Sequence, residues 1–279
     1  MPGAATMRAG RLREGFERRD SVAALWSVRC AVFAFVLFLV AAPSHRYGLL
    51  ETVAFLWTLG IVGLLGLAAL LLSALGFADL WQRGDRAGRR SLVGLLVALV
   101  TLAPFLVGGW RFAVHPPLSD VATDVADPPA LVAAVAHRDP RARPVTPITP
   151  GAAAMIAEHY PQVSGRRYEV APERVLQAIL AILGERGWTV SSTRGGGEDD
   201  VEITVEARAG SFLLRFPADV AVRLTDEGPT TYVDMRSASH FGRHDLGDNA
   251  MRITRFLAEL DAAVEALPEQ GLGGDQAGE

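Results

Sequence analysis

His240, His244 and Asp245 lie in one short stretch, with Ser237 and Ser239 just upstream. Two imidazoles and a carboxylate could ligate zinc, and serine, histidine and aspartate are the parts of a nucleophile relay. The stretch has neither the helical H-E-x-x-H spacing of a zinc protease nor the G-x-S-x-G of a hydrolase elbow. The competing reading is a polar strand-to-helix turn in which Asp245 caps the helix that follows. A second set is Asp219, Arg223, Asp234 and Arg236. Each pair is separated by an even number of residues, so on strands each pair shares one face, and adjacent antiparallel strands would make an acid–arginine ladder. Arginine's planar fork suits an anion or a lipid headgroup there, while the plainer reading is a structural salt-bridge network on a partly exposed sheet.

Gly242, Gly247 and Asn249 lead into the start of the last helix, a place that could receive an anion, although Asp245 and Asp248 would repel it. Gly195-Gly-Gly197 before Glu198, Asp199 and Asp200 could hold calcium loosely, but it lacks the EF-hand spacing and reads as a hairpin turn. The binding candidates are therefore Asp219, Arg223, Asp234, Arg236, Arg243, Asp245 and Asn249. No catalytic residue, metal ligand or cofactor is assigned; the His240/His244/Asp245 region stands as the enzymatic alternative. All 27 basic residues are arginine, so Schiff-base chemistry and a phosphate-loop lysine are excluded. The single cysteine, Cys30, excludes an internal disulfide and a cysteine zinc cluster.

The elements that must position these residues follow from residue 166 onward. Arg167–Val170 reads as a short strand, and Pro172 suits the first position of a helix with Glu173 at its positive end. Val175, Leu176, Ile179, Ile182 and Leu183 make its apolar stripe, and Gly187 stops it. Trp188–Thr193 is the next strand. Asp200–Ala207 alternates, with Val201, Ile203 and Val205 inward and Glu202, Thr204 and Glu206 outward. Phe212–Phe216, Asp219–Leu224 and Thr231–Ser237 continue the strand signal. Leu246, Ala250, Ile253, Leu257, Leu260, Val264 and Leu267 then repeat at helical spacing, with Asp248/Arg252 and Arg255/Glu259 on the outer face. The expected class is α+β: N-terminal transmembrane helices, then a two-layer antiparallel sheet with helices on one face.

The N-terminal part has a different composition. The chain is 50% hydrophobic with a formal net charge of −4, yet charge-free runs occupy residues 30–44, 52–78 and 91–110. About 20 apolar residues suffice to cross hydrocarbon, so Thr52–Ala78 and Leu92–Trp110 read as spans, and Val22–Ala42 as a third interrupted by a snorkelling Arg29. Residues 1–111 hold 12 arginines against 6 acids, and residues 151–267 hold 12 against 18. An acidic soluble part argues against nucleic acid. Arginines cluster at Arg8, Arg11, Arg13, Arg18 and Arg19 and again at Arg83, Arg86, Arg89 and Arg90; only Arg46 lies in the loop between. The positive-inside rule then puts the tail and second loop in the cytoplasm and the soluble part outside, in the inner (plasma) membrane. Gly60, Gly63, Gly66 and Gly76 could allow close helix contact or dimerisation. Trp57, Trp81 and Trp110 read as interface anchors. The expected divisions are a tail at 1–21, a membrane region at 22–111, a proline-rich linker with a short helix at 112–165, an extracytoplasmic domain at 166–267 and a disordered tail at 268–279.

The run Val233-Asp-Met-Arg-Ser-Ala-Ser239, with Gly242, Asp245-Leu-Gly-Asp-Asn-Ala250, Arg252-Ile253 and Phe256-Leu257, resembles the C-terminal signature of domain of unknown function family 1499, roughly VDxRSxSRxGxSDLGxNAxRIxxFL. Thr123-Asp124, Pro128-Pro129, Tyr160-Pro161, Trp188 and the Asp219–Arg223 strand are similar as well, so the likeness covers about residues 115–262. His240 stands where the family has arginine, His244 where serine is common, and Ala218 where a second acid precedes Asp219. The resemblance carries no established activity. It implies that chemistry common to the family does not depend on the two histidines. The reading is an integral membrane protein presenting a non-catalytic module that binds an envelope protein or a small ligand; an envelope hydrolase or metal enzyme, and a structural or assembly protein acting through its spans, are the alternatives.

Overall fold

The computed structural model describes residues 19–197, 200–211 and 213–267. It divides into two compact units, one of residues 1–44 and 53–105 and one of residues 45–52 and 106–279. The expected tail at 268–279 and most of the one at 1–21 lie outside the described residues.

Helices α1 (Val22–Arg46), α2 (Thr52–Arg83) and α3 (Gly88–Val114), which supply most of the first unit's described residues, are each long and apolar enough to cross a membrane. Where lipid removes the hydrophobic drive between helices, close van der Waals packing of small residues holds a bundle together. The seam is built that way, from buried Ala31, Ala69 and Ala98 with Gly66, Gly76 and Gly94 beside them. A Cβ on Gly66 would sit 2.8 Å from Leu102, and one on Gly76 would collide with Ser91 Oγ. Gly60 has nothing near it. Trp57, Trp81 and Trp110 are exposed.

The second unit is a mixed α+β structure around one six-stranded antiparallel sheet. Its strands are β1 (Asp120–Ala122), β2 (Arg166–Tyr168), β3 (Thr189–Arg194), β4 (Glu202–Gly210), β5 (Pro217–Asp226) and β6 (Thr231–Ser239). The order is β1-β6-β5-β4-β3, and β2 also pairs with β6. Helices α6 (Pro172–Glu185) and α7 (Asp248–Glu265) cover one face. Ile179, Leu183, Ile253, Phe256, Leu257 and Leu260 interlock there with Val205, Val222, Leu224, Val233 and Met235. Burying each such side chain stabilises by about 1.5–3 kcal/mol, which makes this layer the main source of stability. Pro172 starts α6 where a missing N–H costs nothing, and Gly187, at φ +62°, lets the chain leave it.

The proline-rich stretch expected as a connector contributes to the sheet and its second face. It supplies β1, α4 (Val132–His137) and α5 (Pro150–His159), and Asp120–Ala122 pairs with Arg236–Ala238. Leu131, Ala134 and Val145 pack on Ala221 and Ala238 of the face opposite α6 and α7. That cover changes two expectations. Glu206 faces away from the main core, as its alternation predicts, but is only 1% exposed, because its carboxylate accepts from the N–H groups of Val132, Ala133 and Ala134 and pairs with Arg194. The strand expected at Phe212–Phe216 does not form. Phe212 lies outside the described residues, and Leu213–Phe216 turn the chain back with Ser211 N–H donating to Phe216 O. Gly195 and Gly196, both at positive φ, make the turn after β3; Glu198 and Asp199 lie outside the described residues.

Candidate functional site

The register of β5 on β6 sets Arg223 opposite Asp234 and Ala221 opposite Arg236. Asp219, Arg223, Asp234 and Arg236 therefore share the face covered by residues 120–146, and each meets a partner there. Arg223 donates to Asp234 Oδ2 at 3.1 Å and to Asp127 Oδ2 at 2.7 Å. Its Nε is buried with no hydrogen-bond partner among the described residues. Asp234 also accepts from Thr123 Oγ1. Arg236 grips Asp120 through both carboxylate oxygens, at 3.0 and 2.8 Å, and donates to Thr146 O. Asp219 accepts from Arg138 and from His240 Nε2, each at 2.9 Å. Burial alone would raise the Asp219 carboxyl, but His240 and then Arg138 outweigh it and hold it below the ordinary aspartate value. The ladder is thus a closed network beneath the 120–146 segment rather than an open surface.

The turn from β6 into α7 is occupied in the same way. Asp245 accepts from the N–H groups of Gly247 and Asn249, both at 2.9 Å, so it does cap the helix start from outside. Its burial is the largest influence on it and raises its carboxyl above the usual range. His244 Nε2 faces the carbonyls of Phe112 and His115 while Nδ1 accepts from Leu246 N–H, and its ring stacks on Phe112 at 4.6 Å. His115 contacts the hydroxyl of Tyr160, which burial pushes up to about 12. His240 and His244 thus serve separate clusters, and among the described residues no three metal-ligating side chains converge. Deeper in, Asn249 accepts from Ser237 Oγ and from Arg252 Nη1 and donates to Ser119 O and Ser239 Oγ. Arg252, expected on the outer face, is 6% exposed and also donates to Asp248. Burial draws its guanidinium below the ordinary arginine value. Arg243 is exposed.

Residues 120–260, half of the chain, match the family described as "Protein of unknown function (DUF1499)". The chain belongs to that family. No curated protein matches it. Within the DUF1499 region, the signature residues Asp234, Arg236, Ser237, Ser239, Asp245, Asn249 and Arg252 are the ones that tie β6, α7 and the chain around Ser119–Thr123 together. Gly247 belongs to the same set: its φ is +75°, and a Cβ there would lie 2.6 Å from His115 Nδ1.

The DUF1499 region also carries a cleft of about 420 Å³ beside α7. Its walls include Arg186, Trp188, Arg215, Arg252 and Arg255, with Asp248 and Glu259. Arg186 donates to Glu259 at 2.7 Å and lies 5.0 Å over the Trp188 ring, which stacks on Phe256. The expected Arg255/Glu259 pair is therefore replaced by one across elements. Reasoning from sequence missed this cleft, and also Arg138, Asp120 and Glu206. Their partners are distant in the chain, and the only local sign was an arginine or acid where the pattern asked for a surface residue.

Proposed function

We propose that this is a multi-pass protein of the inner (plasma) membrane that holds its α+β unit outside the cytoplasm as a non-catalytic binding module. The arginine pattern supports that orientation, since arginine-rich flanks alternate with the arginine-poor loop around Arg46. In this reading residues 22–111 make the membrane region, and the exported part takes in 112–165 as well as 166–267, since Asp120–Ala122 pairs with β6.

One observation carries the binding role. The ladder and the turn histidines are engaged by internal partners, whereas the cleft beside α7 keeps cations facing open space. Asp219, Asp234, Arg236, Asp245 and Asn249 then act by holding the module's shape, and the cleft meets an envelope protein or a small ligand. The test is purification of the full chain from membranes in mild detergent, with retained small molecules and partners identified by mass spectrometry. The wild type and His244→Ala should retain the same species, and Arg215→Glu/Arg255→Glu should lose it. Turnover of an envelope component that disappears in His244→Ala would favour the enzymatic alternative instead. An export-dependent reporter fused after Glu279 should be active; an inactive one beside an active cytoplasmic reporter would reverse the orientation.

A further inference from the structure

The cleft beside α7 also specifies a class of ligand, an inference that rests on the binding role proposed above. Within the second unit, five guanidinium groups, of Arg46, Arg186, Arg215, Arg252 and Arg255, and two carboxylates line it. Each carboxylate is already engaged: Asp248 holds Arg252 at 2.6 Å and Glu259 holds Arg186 at 2.7 Å. Arg215 and Arg255 have no acidic partner among the described residues. Among the described residues the Arg215 guanidinium donates to the carbonyl of Gly187, at 3.2 Å, and Arg215 sits at φ +53°, a left-handed conformation that a non-glycine residue adopts at a cost. Arg255 is exposed on α7. Two arginines without an acidic partner among the described residues thus line one concave space, which Trp188 also lines.

Guanidinium groups recognise planar or tetrahedral oxyanions through paired hydrogen bonds, and a phosphate monoester carries close to two negative charges at neutral pH. The cleft volume is that of a small-molecule site. We propose that the cleft beside α7 binds a phosphate monoester group, with Arg215 and Arg255 as its direct ligands and the Arg186–Glu259 and Arg252–Asp248 pairs holding the walls. The same chemistry is offered by a soluble phosphorylated metabolite and by the headgroup of phosphatidic acid.

The experiment uses the full chain. Calorimetric titration in neutral detergent takes glycerol 3-phosphate and inorganic phosphate as soluble probes and sulfate as the charge control. A lipid arm compares thermal stability in phosphatidylcholine nanodiscs with and without phosphatidic acid. Saturable binding of glycerol 3-phosphate assigns a diffusible ligand, and stabilisation by phosphatidic acid alone assigns a headgroup; either supports the phosphomonoester class. Arg255→Glu, a surface change, and Arg215→Glu should each weaken binding at least about tenfold, and Arg141→Glu, an exposed arginine elsewhere, should leave it unchanged. An unchanged thermal midpoint for Arg255→Glu in the absence of ligand shows that the fold is intact. No saturable binding of any probe, sulfate binding equal to phosphate, or equal weakening by Arg141→Glu would overturn the proposal. If the phosphate probes fail while Arg215→Glu/Arg255→Glu still loses the ligand retained from membranes, the phosphate class is wrong and the binding role stands.

Discussion

His240 Nε2 donates to Asp219 Oδ2 at 2.9 Å, with both side chains 5% exposed. A buried carboxylate is tolerated only when its charge is balanced and its lone pairs are filled, and His240 and Arg138 do both. The pair clamps the ends of β5 and β6 to the 138–143 segment, where Arg143 N–H also donates to His240 O.

Asp219→Asn removes that charge and leaves the Arg138 guanidinium buried without its counter-ion. A loss of about 3–5 kcal/mol in the stability of the α+β unit is expected, read by near-ultraviolet circular dichroism of the full chain in detergent. The pH dependence has a definite sign. The folded Asp219 carboxyl is held below its unfolded value, so its contribution is present above about pH 4 and is lost as pH falls through the folded value. The stability of Asp219→Asn should therefore fall less on acidification than that of the wild type. Parallel slopes would assign acid sensitivity elsewhere.

Asn249→Ala should destabilise far more than an exposed substitution such as Arg243→Ala. It strips acceptors from Ser237 and Arg252 and a donor from Ser119 O and Ser239 at a buried point. Each unsatisfied group costs about 1–3 kcal/mol, whereas the surface change should stay within about 0.5 kcal/mol. Hydrogen exchange should quicken at the start of α7 and the end of β6 first.

Gly247→Ala meets two penalties, a positive φ and the His115 ring. A cost of about 1–3 kcal/mol is expected. Adding His115→Ala should restore only the steric part, since the backbone strain remains; full recovery in the double variant would mean that φ relaxes.

In the unit of long apolar helices, Gly76→Leu should weaken the bundle by about 1–3 kcal/mol through forced separation of its helices. Gly60→Leu should be tolerated, because no atom lies near its added Cβ. Thermal unfolding in detergent distinguishes them.

Much of the fold was legible because it is written in local periodicity. The stripe Val175, Ile179, Ile182 and Leu183 and the stripe Ile253, Leu257 and Leu260 each identify a helix and the face it buries, and both faces meet the sheet as the patterns require. Arg252 was misjudged because i,i+4 spacing with Asp248 describes a surface pair equally well; only the approach of Ser237 on β6 makes that side inward. The strand expected at Phe212–Phe216 shows the same limit, since apolar residues beside a chain reversal resemble a short strand. The even spacing in Asp219/Arg223 and Asp234/Arg236 correctly put them on one face, yet nothing within those strands said that Asp120, Asp127 and Arg138 would cover it.

By itself, the sequence determined the split between a charge-free, arginine-flanked part and an acidic α+β part, the class of each element, and the family signature. Those properties depend on residues close together in the chain, where solvation and hydrogen-bond period act directly. Only the tertiary structure decided which charges are engaged and which are left open. Asp219 and Arg236 are matched by partners far away in sequence, whereas Arg215 and Arg255 line a cleft whose acids, Asp248 and Glu259, are held by other arginines. Coulomb and hydrogen-bond energies depend on distances of a few ångströms in space, and separation along the chain does not encode those distances.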